Sequence, residues 1–285
     1  MAAYLLSMDR PKLTDRAALL RHRARAERMR GGMADFLHRA VAAELEERLS
    51  EVNRRFTEIA VVSGFPRLWS ELLPGTHQIS DCEILALQPA SLDLVIHALA
   101  LHWADDPVGQ IVQCRRALKP DGLFLAATLG GETLAPLRAA LAEAETDVSG
   151  GLSPRVAPMG EIRDLGALLQ RAQFALPVAD SLPVEASYAT LFHLMADLRA
   201  MGETNALAHR HRATPPRALF ARAAELYAER EGAADGRVTA QFDVIYLTGW
   251  APSSNQPKPL RPGSATQRLA DALGTAETPL PGPKD

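Results

Sequence analysis

Leu92-Asp93-Leu94-Val95-Ile96-His97, followed by Leu101-His102-Trp103 and by Leu118-Lys119-Pro120-Asp121-Gly122-Leu123-Phe124, is the stretch that decides the fold. Residues 92–96 form a short apolar run of the kind a buried strand needs on both faces. Residues 107–118 carry a helical spacing, and Pro120 with Gly122 makes a turn that delivers a second strand over 123–128. Strand, helix, strand at this spacing predicts a parallel, right-handed crossover.

Working outward, Ile59 to Val62 is a β-branched run closed by Ser63-Gly64, a second buried parallel strand. Pro66 suits the first turn of a helix that Pro74-Gly75 stops. A brief segment over 77–83 precedes the decisive stretch. Upstream, residues 33–53 place Phe36, Leu37, Val41, Leu45 and Leu49 at helical intervals, so that stripe packs on something. Residues 10–30 hold eight Lys/Arg against two acids, with Thr14-Asp15 as a helix cap. The plain reading is a solvated helix covering one edge; the other is contact with a membrane surface or an acidic partner. Beyond Gly130-Gly131, helices are expected at 132–145, 160–171, 188–200 and 215–229. Strands at 174–178 and 238–246 would finish the sheet, the second alternating as an antiparallel edge strand does.

The bulk numbers exclude little but exclude it firmly. A chain of 285 residues with 47% apolar and 23% charged residues is an ordinary globular composition. A net charge of −3 gives no support to nucleic-acid binding. Cys82 and Cys114 have neither metal spacing nor a disulfide framework, which suits a reducing cytoplasm. No apolar run reaches the roughly 18 residues of a spanning helix, and residues 1–8 lack the basic start of a signal peptide. No metal is expected.

Taken with further segments, these pieces resemble the class I S-adenosylmethionine (SAM)-dependent methyltransferases. The segments are Leu129-Gly130-Gly131-Glu132-Thr133-Leu134, Gly150-Gly151-Leu152-Ser153-Pro154-Arg155, Asp164-Leu165-Gly166-Ala167-Leu168-Leu169 and Met201-Gly202-Glu203-Thr204-Asn205. More narrowly, the chain is similar over about residues 10–252 to the branch holding the biotin-pathway malonyl-carrier-protein O-methyltransferase and a respiratory complex I assembly factor described as a protein arginine hydroxylase. The Leu-Gly-Gly-Glu-Thr-Leu and Met-Gly-Glu-Thr-Asn segments favour the assembly-factor side.

The resemblance implies an α/β, three-layer Rossmann-like fold with a shortened sheet. Its organisation would be a helical cover over 1–54, a methyltransferase-like domain over 55–250 with a helical insertion at about 185–235, and a flexible tail over 251–285. It also implies SAM as cofactor, held by Ser63, Gly64, Asp81, Glu83, His97 and Trp103. Against that stands a single glycine in Ser63-Gly64-Phe65-Pro66, where backbone amides should approach the methionine end. The stretch from Val62 to Asp93 is only about 30 residues, so the second strand with its ribose carboxylate is missing or fused with the third. Ser80-Asp81-Cys82-Glu83 resembles the adenine-side Asp-x-Glu; a solvated loop acid would look the same.

His97, Glu132, Glu203 and Asn205 are the catalytic candidates. His97 ends a strand that faces the transfer pocket and could act as a base, or be a hydrogen-bonded structural histidine. Glu132 would favour a helix dipole in any protein. Glu203 and Asn205 follow a helix stop at Gly202, which by itself needs no Glu-Thr-Asn behind it. Three functions follow. One is an assembly-factor-type protein that modifies or binds an immature complex I subunit. The others are an active methyltransferase on a small acid or carrier-protein thioester, and a non-catalytic assembly chaperone. The place expected is the cytoplasm of a bacterium, peripheral to the inner membrane if the basic helix touches lipid.

Overall fold

A computed structural model describes residues 12–256 and Gly274. Met1–Pro252 forms one compact unit, and Ser253–Asp285 a second; the expected tail lies mostly outside the described residues. Two helices come first, α1 (Arg16–Glu27) and α2 (Phe36–Glu51), then β1 (Ile59–Ser63), α3 (Pro66–Leu72), β2 (His77–Ser80) and β3 (Leu92–Ala98). A single 3₁₀ turn, Leu101–Trp103, leads to α4 (Pro107–Ala117), β4 (Leu118–Gly130), α5 (Ala135–Ser149), α6 (Ile162–Arg171) and β5 (Ala175–Tyr188). The chain closes with α7 (Leu191–Ala200), α8 (Arg217–Glu231) and β6 (Val238–Trp250).

The six strands form one sheet in the order β2-β1-β3-β4-β6-β5. β1 to β4 run parallel, and β6 is antiparallel to both of its neighbours. This is a Rossmann-like class I methyltransferase sheet, with a single strand, β2, flanking β1 where the fold usually carries two. The sheet is therefore shortened between Val62 and Asp93, but its second strand is neither missing nor fused with the third: β2 pairs with β1 and Asp81 follows its end, and the strand lacking is the one that would lie outside β2.

Successive side chains of a strand point to opposite faces, and the core divides accordingly. Val61, Leu94, Ile96, Leu125 and Phe242 pack under α2, α3, α5, α7 and α8. Ala60, Val62, Val95, Phe124 and Ile245 pack under α4 and α6. Local signals set the helix starts: the Asp15 side chain accepts from the Ala18 N–H at 3.0 Å, and Asp106 from the Gly109 N–H at 2.9 Å ahead of Pro107.

Three expectations are revised. The predicted turn at 119–122 lies inside β4 as a bulge: Leu92 pairs with Leu118 but Leu94 with Leu123, and Asp121 takes φ +65°. β6 is an interior strand; β5 is the edge, and it is far longer than residues 174–178. Its pairing with β6 runs to Tyr188, and α7 and α8 follow before β6. Apolar alternation alone does not distinguish an edge strand from one buried under small helices.

Candidate functional site

The crevice of such a sheet opens beyond the carboxyl ends of the parallel strands, where the order reverses. Here that point lies between β1, β2 and β3. Ser63 ends β1 fully buried, its Oγ accepting from the Phe65 N–H at 3.2 Å. The Asp81 N–H donates to the Ser63 carbonyl at 3.1 Å, which seats Asp81 directly beyond β2.

Asp81 is only 3% exposed and is gripped from above by α1. Arg23 Nη1 donates to both its oxygens, at 2.9 and 2.8 Å, and Arg16 Nη1 donates to Oδ2 at 3.1 Å. Burial opposes the charge on Asp81, but the hydrogen bonds from Arg16 and the charge of Arg23 outweigh it and hold the pKa below the ordinary value. The same guanidinium lies over Gly64: a Cβ there would stand 2.2 Å from Arg23 Cζ. Arg23 also sits 5.7 Å from the centre of the Phe65 ring, and Gly202 passes close by the Arg23 backbone. Arg16 and Arg23 are seven residues apart, two turns along one helix face, so the basic helix turns part of its charge inward.

Outside Asp81 is a cavity of about 780 Å³ lined by Arg16, Asp81, Cys82, Glu83, Trp103 and Gln110, among others. Glu83 is exposed at its wall. A second cavity, of about 680 Å³, lies on the other side of Trp103, which lines both. Its walls come from α5, α7, α8 and the loops around 155–159 and 203–211.

Glu203 lies deep in this second cavity, its side chain 13% exposed. Oε2 accepts from Trp103 Nε1 at 2.7 Å and contacts His102 Nε2 at 3.3 Å. Oε1 takes no hydrogen bond from any described residue. Burial opposes the charge, yet His102, Arg23 and Trp103 together hold the pKa below its usual value, so the carboxylate stays ionised. Around it stand Leu129, Leu134, Met159, Met195 and Phe220. A fixed carboxylate with one oxygen free of hydrogen bonds suits a cationic hydrogen-bond donor.

The other candidates fall differently. Asn205 lines the same cavity but is tied down, Nδ2 donating to the Pro154 carbonyl at 2.9 Å and Oδ1 accepting from the Leu207 N–H at 3.0 Å. His97 is completely buried and faces α4, with Nε2 2.9 Å from Gln110 Oε1. Gln110 Nε2 donates to the Cys82 carbonyl, which makes Oε1 the acceptor and leaves His97 Nδ1 without a partner among the described residues. Burial lowers the His97 pKa. It lines neither cavity. Glu132 is exposed between β4 and α5, its N–H donating to Asp243 Oδ2 at 2.8 Å, and it too lines neither. In that segment the glycines have the stricter role: a Cβ on Gly130 would meet Ile245 Cδ1 at 2.3 Å. Arg16, Arg23, Gln110 and Arg199 were not singled out by sequence; the seven-residue spacing of the first two was the available signal.

Fold and crevice thus define a methyltransferase-like protein, and residues 31–126 match a family model described as a methyltransferase domain. The chain belongs to the family of the arginine-hydroxylase NDUFAF5. It is 37% identical over 232 residues to the mitochondrial arginine-hydroxylase NDUFAF5 of Danio rerio, covering 80% of this chain and 72% of that protein. Matches to other arginine-hydroxylase relatives span between 44% and 62% of their length. A malonyl-[acyl-carrier protein] O-methyltransferase of Methylovorus is 35% identical over 61% of this chain and 56% of its own. Among solved structures, a methyltransferase-like protein of Bacillus halodurans aligns with 74% of this chain and 99% of its own at 14% identity and a TM-score of 0.47. No helix among the described residues is long and apolar enough to cross a membrane.

Proposed function

We propose that this chain is a complex I assembly-factor-type protein that receives an arginine side chain of an immature subunit at Glu203. The observation that carries this reading is the half-used carboxylate in the cavity lining: Oε2 is anchored by Trp103, while Oε1 takes no hydrogen bond from any described residue. A guanidinium offers the paired, planar donors that such an oxygen lacks, and it remains charged at any working pH. The name of the family, arginine-hydroxylase, agrees with that chemistry. The chain's own residues would bind and orient the guanidinium: Glu203 supplies the charge, Trp103 and His102 fix its rotamer, and Leu129, Leu134 and Met159 offer apolar contact to the arginine stem.

SAM is the cofactor the fold implies, and the residues present do not fit it in the usual pose. The approach over Gly64 is filled by Arg23, and both Asp81 oxygens are engaged. The methionine end would require Arg23 to withdraw. Asp81 and Glu83 keep a nucleoside-sized cavity beside them. An active methyltransferase is therefore the second reading, and saturable micromolar binding of S-adenosylhomocysteine by calorimetry would favour it.

For the leading reading, a short peptide with one arginine is titrated against the full chain, beside the same peptide with citrulline. Binding of the arginine peptide only, weakened at least about tenfold in Glu203→Gln, is the expected result. Equal binding of both peptides, or indifference to the substitution, would remove Glu203 from the site. In that case a chaperone that recognises its partner by another surface becomes the better description.

A further inference from the structure

We infer that Arg199 and Arg25 form a carboxylate subsite at the Glu203 cavity, so that it selects a protein segment bearing an acidic residue beside its arginine. This rests on the reading of Glu203 above. The cavity lining includes one carboxylate, Glu203, and three arginines: Arg155, Arg199 and Arg210. Two of these are answered: Arg155 by Glu145 and Arg210 by Asp15. Arg199, exposed in the last turn of α7, has no hydrogen bond or ion pair with any described residue.

Another cation lies near it, on α1, which packs against α7. Arg25 of α1 donates from Nη2 to Thr204 Oγ1 at 2.9 Å, and Thr204 lines the cavity. No carboxylate pairs with Arg25 among the described residues, and its buried Nε has no partner. Burial and the nearby charge of Arg199 lower its pKa. Two guanidiniums held together with no anion between them repel, and a carboxylate placed there gains charge-assisted hydrogen bonds from both. The cavity thus pairs a mostly buried anion, Glu203, with a more exposed cation, Arg199. A segment with an arginine for Glu203 and an Asp or Glu for Arg199 complements both. A lone exposed arginine would be merely solvated; Arg25 held on Thr204, with Thr204 and Arg199 both in the cavity lining, points to a ligand.

The test uses three labelled peptides of equal length, each with one arginine flanked by Asp, Ala or Lys, read by fluorescence anisotropy on the full chain. The Asp peptide should bind about tenfold tighter than the Lys peptide at low salt, and the gap should narrow as salt rises. Arg199→Glu should reverse the order without changing the melting temperature, while Arg199→Lys should largely keep it. Glu203→Gln should weaken all three peptides by a similar factor and leave the order intact. Three equal affinities, or an order unmoved by Arg199→Glu, overturn the subsite while the Glu203 reading stands. Absence of binding by any of the three overturns both.

Discussion

Asp81 concentrates the residue-scale energetics of the crevice. It is a buried carboxylate held by two arginines, and removing one member of such a group leaves uncompensated charge in a low-dielectric place. Asp81→Asn should therefore destabilise the fold by about 3–5 kcal/mol, read as a fall in the urea midpoint. The folded pKa lies below the unfolded one, so the ion pair stabilises above the unfolded value of about 4 and is lost as pH falls through the folded value. The difference between wild type and Asp81→Asn should be widest at neutral pH and shrink in acid; a gap that is constant with pH would contradict this account. Asp81 was legible in the sequence as part of an Asp-x-Glu, though not the strand β2 before it, and Glu203 as an acid after a helix stop. Their partners were not, because a basic helix reads as solvated until the sheet brings carboxylates beneath it. His97 shows the converse: its place at a strand end was legible, but the face it takes depends on pleat phase, and that phase turns it to Gln110.

At the scale of elements, the main event is the seating of α1 across the crevice. Ala18 and Leu19 pack on Trp103, Ala206 and Leu207, and the Asp15 N–H donates to the Ala206 carbonyl at 2.7 Å. That contact demands a close approach at Gly202, which takes φ +80° and whose absent Cβ would stand 3.0 Å from Phe65 Cζ. Gly202→Ala should cost about 1–2 kcal/mol for the left-handed backbone alone, and should loosen α1. Hydrogen exchange would check it: faster exchange confined to α1 and the 203–207 loop is expected, and uniform protection would contradict the seating. Central elements such as β1, β3 and α4 were legible nearly to the residue, since unbroken apolar runs and caps mark them locally. β5 was not, because its exposed Leu176, Val178 and Leu182 break the pattern by which a strand announces itself. Only its pairing with β6 makes it a strand.

Across the whole molecule, the buried histidines His38 and His97 lean the same way. His38 accepts a hydrogen bond from Trp69 Nε1 at 3.2 Å, and burial pushes its pKa down to about 4. His97 is lowered too, also by burial. Between the unfolded value near 6.5 and the folded ones, the unfolded chain takes up protons that the folded chain refuses, so stability drops as pH falls. The urea midpoint should decline from pH 7 to pH 4.5, and less steeply in His38→Gln, which keeps an acceptor for Trp69; parallel slopes would take His38 out of the account. The arrangement of helices around the sheet followed from the crossover motif, whereas the two cavities did not. They arise where α1, α7 and the 203–211 loop meet around Trp103, a meeting that no local pattern encodes.

The edge strand carries one consequence for how copies of this chain behave together. β5 ends the sheet with fourteen residues, long enough to offer its outer rim to another strand. Pro177 and Pro183 interrupt that rim with positions that have no N–H to give, and proline persists in edge strands where its nitrogen faces away from the ladder. A second copy arriving edge to edge would find a broken row of donors. At this edge the sheet therefore disfavours growth by addition of a further strand.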